Sequence, residues 1–265
     1  MKKQLLTLTA LLGLSLMLFS CSDDETTTEP DEQEDVVYIN NNVYAYVYDE
    51  YDIDSDGKAV TETTHKDSVN FEQDINKDGK EAKEYKTYTN ESGTYEEAEV
   101  TYYSNETNNL YIHSSVLFST FGSLEAEGIS LGDLLTFGNE WFLLADAKAA
   151  NGAKKTIFTD QVNTEISGFA VTADIKAETY RDGSKSVMVN NEAKDAHVYK
   201  VNVNVNVNSI TSFDIVAEYY IVPDLGVVKR KVIPFSFTIP LVGSTSVEGT
   251  EQVLVNYYMT VQTES

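Results

Sequence analysis

From Tyr199 the chain alternates with a period of two. Tyr199, Val201, Val203, Val205 and Val207 interleave with Lys200, Asn202, Asn204, Asn206 and Asn208. Successive side chains of an extended strand point to opposite faces, so this stretch predicts one face on a core and one in water, as in an antiparallel sheet. The asparagine row reads as the polar face that such a strand must carry rather than as a ligand platform. Aromatic and β-branched runs predict further strands over residues 43–48, 94–103, 110–118, 164–180, 212–222, 227–239 and 252–261, and Trp141, Phe142, Leu143 and Leu144 open another. Asp56-Gly57, Asp78-Gly79, Ser92-Gly93 and Asp182-Gly183 place residues that tolerate positive φ where tight hairpins need them. Helical periodicity is weak, and residues 130–136 predict a turn or two with Ser130 as N-cap. No strand–helix–strand rhythm appears, which argues against parallel folds and their nucleotide sites. The expectation is an all-β antiparallel meander.

The first residues follow another pattern. Lys2 and Lys3 precede an apolar run over residues 5–19, the order of a secretory signal, and the run is short for a membrane-spanning helix. It ends in Leu18, Phe19, Ser20 and Cys21, which resembles the bacterial lipobox, although Phe19 occupies a position that is more often small. The resemblance implies cleavage before Cys21, a diacylglycerol on its thiol, an added acyl chain such as palmitate, and firm anchoring by two or three chains. Cys21 is the sole cysteine, so no intramolecular disulfide can form. Ser22, Asp23, Asp24 and Glu25 look like a surface-export signal of lipoproteins in some Gram-negative lineages, and also suit a solvated spacer. The expected organisation is a signal peptide at 1–20, a lipidated, disordered acidic tether at 21–34 and an antiparallel β domain at 35–265. The expected location is the outer membrane, lipid-anchored and surface-exposed, with the periplasmic face as the alternative.

Charge narrows the partner classes. Against 19 basic residues stand 43 acidic ones, a net charge of −24, which repels phosphate backbones and excludes nucleic acid as a natural partner. Divalent cations are the class this field favours. Two segments carry oxygen ligands at alternate positions before a glycine: Asp52, Asp54 and Asp56 before Gly57, and Asp74, Asn76 and Asp78 before Gly79. That spacing resembles the first half of an EF-hand-type calcium loop. The twelfth positions, however, are Thr63 and Tyr85, with Glu62 and Glu84 one residue early, and Asp-Gly is also ordinary hairpin-tip chemistry. Both readings stand, calcium coordination and polar turns.

Catalytic patterns are missing. His65, His113 and His197 are isolated in sequence, no nucleophile elbow occurs, and the acidic residues are too abundant to single out an acid–base pair. No enzyme activity is expected, and no cofactor beyond calcium. In the C-terminal third, Glu218, Tyr219, Tyr220, Ile221 and Val222 lead through Pro223, Asp224, Leu225 and Gly226 into Val227, Val228 and Lys229. This strand–turn–strand resembles the curved-sheet lipoprotein carriers and related outer-membrane lipoproteins. The resemblance implies a curved sheet or open half-barrel with one or two short helices around an apolar cavity. If the sheet curls in that way, Trp141 and the Leu134–Leu135 pair are the expected lid elements. Two functions follow as expectations: a non-catalytic envelope lipoprotein holding a hydrophobic or lipid ligand, or a surface interaction module, calcium-braced, that meets a glycan or an envelope protein. A continuous cavity would favour the first and a filled core the second.

Overall fold

The computed structural model describes residues 35–90, 93–121, 125–126, 129–130, 138–166, 169–207, 211–239 and 243–260. The expected signal, Cys21, the tether and the Leu134–Leu135 pair therefore lie outside the described residues. Strands β1 (Val43–Ile53), β2 (Ala59–Lys77), β3 (Lys80–Asn90), β4 (Glu96–Glu106) and β5 (Asn109–His113) lead into helix α1 (Ser114–Phe121). Two short strands, β6 (Glu125–Ala126) and β7 (Ile129–Ser130), pair with each other. Then come β8 (Trp141–Asp146), β9 (Lys155–Ile166), β10 (Phe169–Val189), β11 (Glu192–Val207), β12 (Thr211–Val222) and β13 (Gly226–Val232). The hairpin of β14 (Phe235–Ile239) and β15 (Gly243–Val247) precedes β16 (Gly249–Met259). Among the described residues no helix is long and apolar enough to cross a membrane.

Twelve strands form one antiparallel sheet in the order β8-β5-β4-β3-β2-β1-β16-β13-β12-β11-β10-β9. The sheet curls until its two ends meet, nearly closing a barrel. No backbone ladder joins those ends among the described residues. Side chains hold the seam instead: Thr179 Oγ1 donates to the Leu144 carbonyl at 2.9 Å, Tyr199 OH to Asp146 at 2.9 Å and Arg181 Nη1 to Ala147 at 3.0 Å.

The valine row faces inward as its alternation predicts. Val201, Val203 and Val205 are fully buried, and Val203 sits between Ala177 of β10 and Ile215 of β12. Burying one such side chain contributes roughly 1.5–3 kcal/mol. Protein covers the row: Val116, Leu117 and Phe121 of α1 belong to the same core, and Phe237 of β14 stacks on Phe213 at 4.4 Å. Opposite, Asn204 donates to Asp214 at 3.0 Å on the exposed side of the sheet.

Several boundaries differ from the sequence expectation. The run over residues 110–118 is a strand only to His113, because Ser114 starts α1 and Val116, Leu117, Thr120 and Phe121 then fall on one buried helical face. A short apolar run does not distinguish the two periods. The run over 164–180 spans the end of β9 and the start of β10. The run over 227–239 breaks at Pro234, which has no N–H to give a ladder. Asp182-Gly183 is not a hairpin turn: it lies within β10 as an irregularity between Arg181 and Ser184. The turn comes later, at Asn190 and Asn191, both at positive φ (50° and 64°). Of the helix expected at 130–136, Ser130 ends β7 and the rest lies outside the described residues.

An N-terminal strap over residues 35–40 crosses one end of the curled sheet. Val36 exchanges hydrogen bonds with Asn108, Tyr38 N donates to Asn105 Oδ1, and Asp224 N donates to the Val37 carbonyl. Tyr38 is completely buried, its hydroxyl 2.8 Å from that of Tyr199.

Candidate functional site

Away from the valine row the interior changes character. Tyr46 and Tyr48 of β1, Tyr85 of β3, Tyr103 of β4 and Tyr219 of β12 line a cavity of about 60 Å³, with Glu99, Arg230 and Gln252 at its wall. Burial pushes the phenols of Tyr48, Tyr85 and Tyr219 above their ordinary value, so they act as neutral hydrogen-bonding groups. The Tyr48 hydroxyl donates to the Val227 carbonyl at 2.7 Å.

Beside this cavity lies a charged cluster built by strand register. Glu50 of β1 pairs directly with His65 of β2 and with Gln252 of β16, and Asp67 lies two residues beyond His65 on the same face. Arg230 of β13 also pairs with Gln252. Gln252 Nε2 donates to Glu50 Oε2 at 2.9 Å and to Asp67 Oδ2 at 3.0 Å. Thr89 donates to the other Asp67 oxygen at 2.7 Å. Arg230 reaches Glu50 at 3.5 Å and Thr120 of α1 at 3.3 Å.

Burial opposes the Arg230 charge, but Glu50, Tyr219 and Glu99 around it more than offset that and hold it protonated. Burial raises the Glu50 carboxyl, Arg230 opposes the rise, and the Asp67 charge adds to it. The guanidinium thus contacts one carboxylate directly, with that of Asp67 close behind it. His65 completes the group, with Nε2 3.7 Å from Asp67 Oδ1 and Nδ1 3.3 Å from the Thr63 carbonyl. One ligand atom from each of Glu50, His65 and Asp67 lies within 4.8 Å of the others.

The six expected calcium ligands are not brought together. The two loops lie at opposite ends of β2, separated by its 19 residues. Asp54 Oδ1 accepts from the Asp56 and Lys58 backbone N–H groups at 3.0 and 2.9 Å, and Asp56 pairs with Lys58. Asp52 falls within β1, its N–H donating to Thr63 Oγ1. In the second loop Asp74 and Asn76 lie on regular strand, Asp74 pairs with Lys83 at 2.8 Å, and Asp78 meets Lys77 and His113. Trp141 is part of β8, and its Nε1 donates to the Lys77 carbonyl at 2.9 Å. His197 lies 3.4 Å from the Tyr38 hydroxyl.

Sequence reasoning passed over Glu50, His65, Asp67, Gln252 and Arg230. The usable signal was that Tyr46, Tyr48 and Glu50 share one parity in β1, so an aromatic inner face continues into an acid.

An open groove of about 840 Å³ runs between the strap and the β2–β3 hairpin. Val37, Ile39, Phe71 and Ile75 line it together with Asp74 and Lys83.

No family model matches this chain, and no curated protein does. Two solved structures are similar in outline. One is described as a lipoprotein from Parabacteroides distasonis, 12% identical with a TM-score of 0.49, over 85% of this chain and 100% of that one. The other is described as an exported protein with YmcC-like fold from Bacteroides fragilis, 9% identical with a TM-score of 0.47, also over 85% of this chain and 100% of that one.

Proposed function

We propose that this chain is a non-catalytic envelope lipoprotein, held to a membrane by lipid on Cys21, whose β unit works by presenting surface to an envelope partner rather than by enclosing a ligand. The observation that carries this reading is the interior that the described residues fill. Pockets for drug-sized ligands span roughly 300–1,000 Å³, whereas the interior cavity is about 60 Å³ and is walled by packed tyrosines and a paired arginine. The outer membrane, with the domain at the cell surface, is the proposed location.

Two measurements test the reading. Cys21→Ala should leave the protein unacylated and free of membranes after fractionation, and membrane association equal to wild type would sink the anchor. Titration of the full chain with a fluorescent fatty acid should give no saturable uptake. The hydrophobic-ligand reading keeps one observation in its favour, the open groove at Phe71 and Ile75. Saturable uptake lost in Ile75→Asp would restore it.

A further inference from the structure

We propose that Glu50, His65 and Asp67 form a binding site for a zinc-class divalent cation, independent of the surface-presentation role. The motivating observation is the direction of the imidazole. With Nδ1 facing the Thr63 carbonyl, that nitrogen is the donor, so the neutral ring presents Nε2 as a bare acceptor. Nε2 points toward Asp67 Oδ1 at 3.7 Å, and that oxygen is also an acceptor. Two lone pairs facing each other need a cation between them, either a proton on Nε2 or a metal. Anchoring one ring nitrogen on a carbonyl is how proteins orient a ligating histidine.

The spacing suits the metal. Ligands bound at about 2.1 Å in a tetrahedron lie about 3.4 Å apart. The three ligand atoms lie within 4.8 Å of one another, and the side chains of Glu50 and His65, 20% and 24% exposed, have room to close that difference. The same exposure gives an ion a way in from solvent. Asp67, with its side chain 5% exposed, is the fixed member, aimed by Thr89.

Electrostatics points the same way. Buried charges are paired or coordinate metals. Arg230 contacts Glu50, while Asp67 is met by the neutral donors Thr89 and Gln252 besides His65. A divalent ion would balance the second carboxylate. One imidazole and two carboxylates favour zinc over calcium, which takes oxygen alone. The backbone is irregular at the site: β1–β2 pairing shifts register between Glu50 and Asp52, and the Thr63 carbonyl lies at His65 Nδ1.

The test uses the full chain in detergent, stripped with chelator and titrated with zinc chloride by calorimetry and thermal melting. One equivalent should bind, and the melting temperature should rise with free zinc by mass action. Glu50→Gln and His65→Gln, both at partly exposed side chains, should each weaken binding at least tenfold while the apo proteins melt cooperatively. Asp54→Asn with Asp78→Asn should leave binding unchanged. Nitrogen-detected NMR should show His65 Nε2 shift on zinc addition. Absence of stoichiometric binding would overturn the proposal. So would binding that survives the His65 and Glu50 substitutions.

Discussion

The two sides of the curled sheet solve the same packing problem with different chemistry. Along β10, β11 and β12 most inward positions are Ala, Val, Ile and Phe, with Thr179, Tyr199 and Tyr219 toward one end. Along β1, β2 and β16 the inward positions become Tyr48, Glu50, Asp67 and Gln252, tied by hydrogen bonds and by Arg230 from β13. An apolar face packs without directional demands, so any well-fitting aliphatic neighbour serves. A polar interior holds only while every donor has its acceptor, because an orphaned buried group costs about 1–3 kcal/mol. One side is therefore insured by area and the other by connectivity.

The largest effect should come from breaking the apolar side. Val203→Asp puts a carboxylate at a fully buried position between Ala177 and Ile215. A loss on the order of 5 kcal/mol is expected, enough to abolish the cooperative melt followed by circular dichroism. A variant that melts like wild type would show that the valine row is not core.

Next comes the join between the sides, where β16 starts against β13. A methyl on Gly249 would stand 2.1 Å from the Val232 carbonyl oxygen, backbone that cannot step aside. Gly249→Ala should cost about 3 kcal/mol in urea unfolding. A neutral result would mean that this crossing is looser than the packing implies.

A finer contrast uses two glutamates with opposite pH behaviour. Glu251 is mostly buried, which raises its carboxyl, but Lys229 at 2.7 Å and Tyr51 at 2.6 Å outweigh burial and hold it below the ordinary 4.5. Its contribution is present above 4.5 and lost as pH falls through the depressed value. Glu251→Gln should therefore cost about 1 kcal/mol at pH 7 and converge with wild type in acid. Glu50 is raised, so its contribution is present below 4.5 and lost as pH rises through the elevated value. Glu50→Gln should gain on wild type as pH rises from 4 to 7. Slopes of the same sign in the two variants' stability–pH curves would contradict the assignment.

The smallest effect concerns the acidic hairpins. Asp54 is already occupied by two backbone N–H groups, and Asp56 and Asp74 by lysines. Millimolar calcium should move the melting temperature by no more than about 1 °C, since weak binding contributes little by mass action. A larger rise, abolished by Asp54→Asn with Asn76→Ala, would establish calcium bracing.

Legibility followed the same division. The alternation over Val201 to Val207 is legible because identity and burial agree at every position. In β2, residues such as Thr63, His65, Asp67 and Ser68 show no apolar face, so a 19-residue strand carries little period to read. His65 looked isolated because its cross-strand neighbour Glu50 is 15 positions away, a proximity that only register creates. Asp182-Gly183 misled for a related reason: positive φ at Gly183 serves an irregular strand as well as a turn.

The strap at residues 36–38 also gives the molecule a mechanical character. Force arriving along the chain from its N-terminal side meets Asn105 and Asn108 of the β4–β5 hairpin and the Asp224 amide of the β12–β13 turn. Neither turn can yield without dragging the other, and Tyr38 behind them sits like a toggle in its socket. A pull should first be felt as a load shared across the end of the sheet, and peeling of β1 should follow only after that grip has failed.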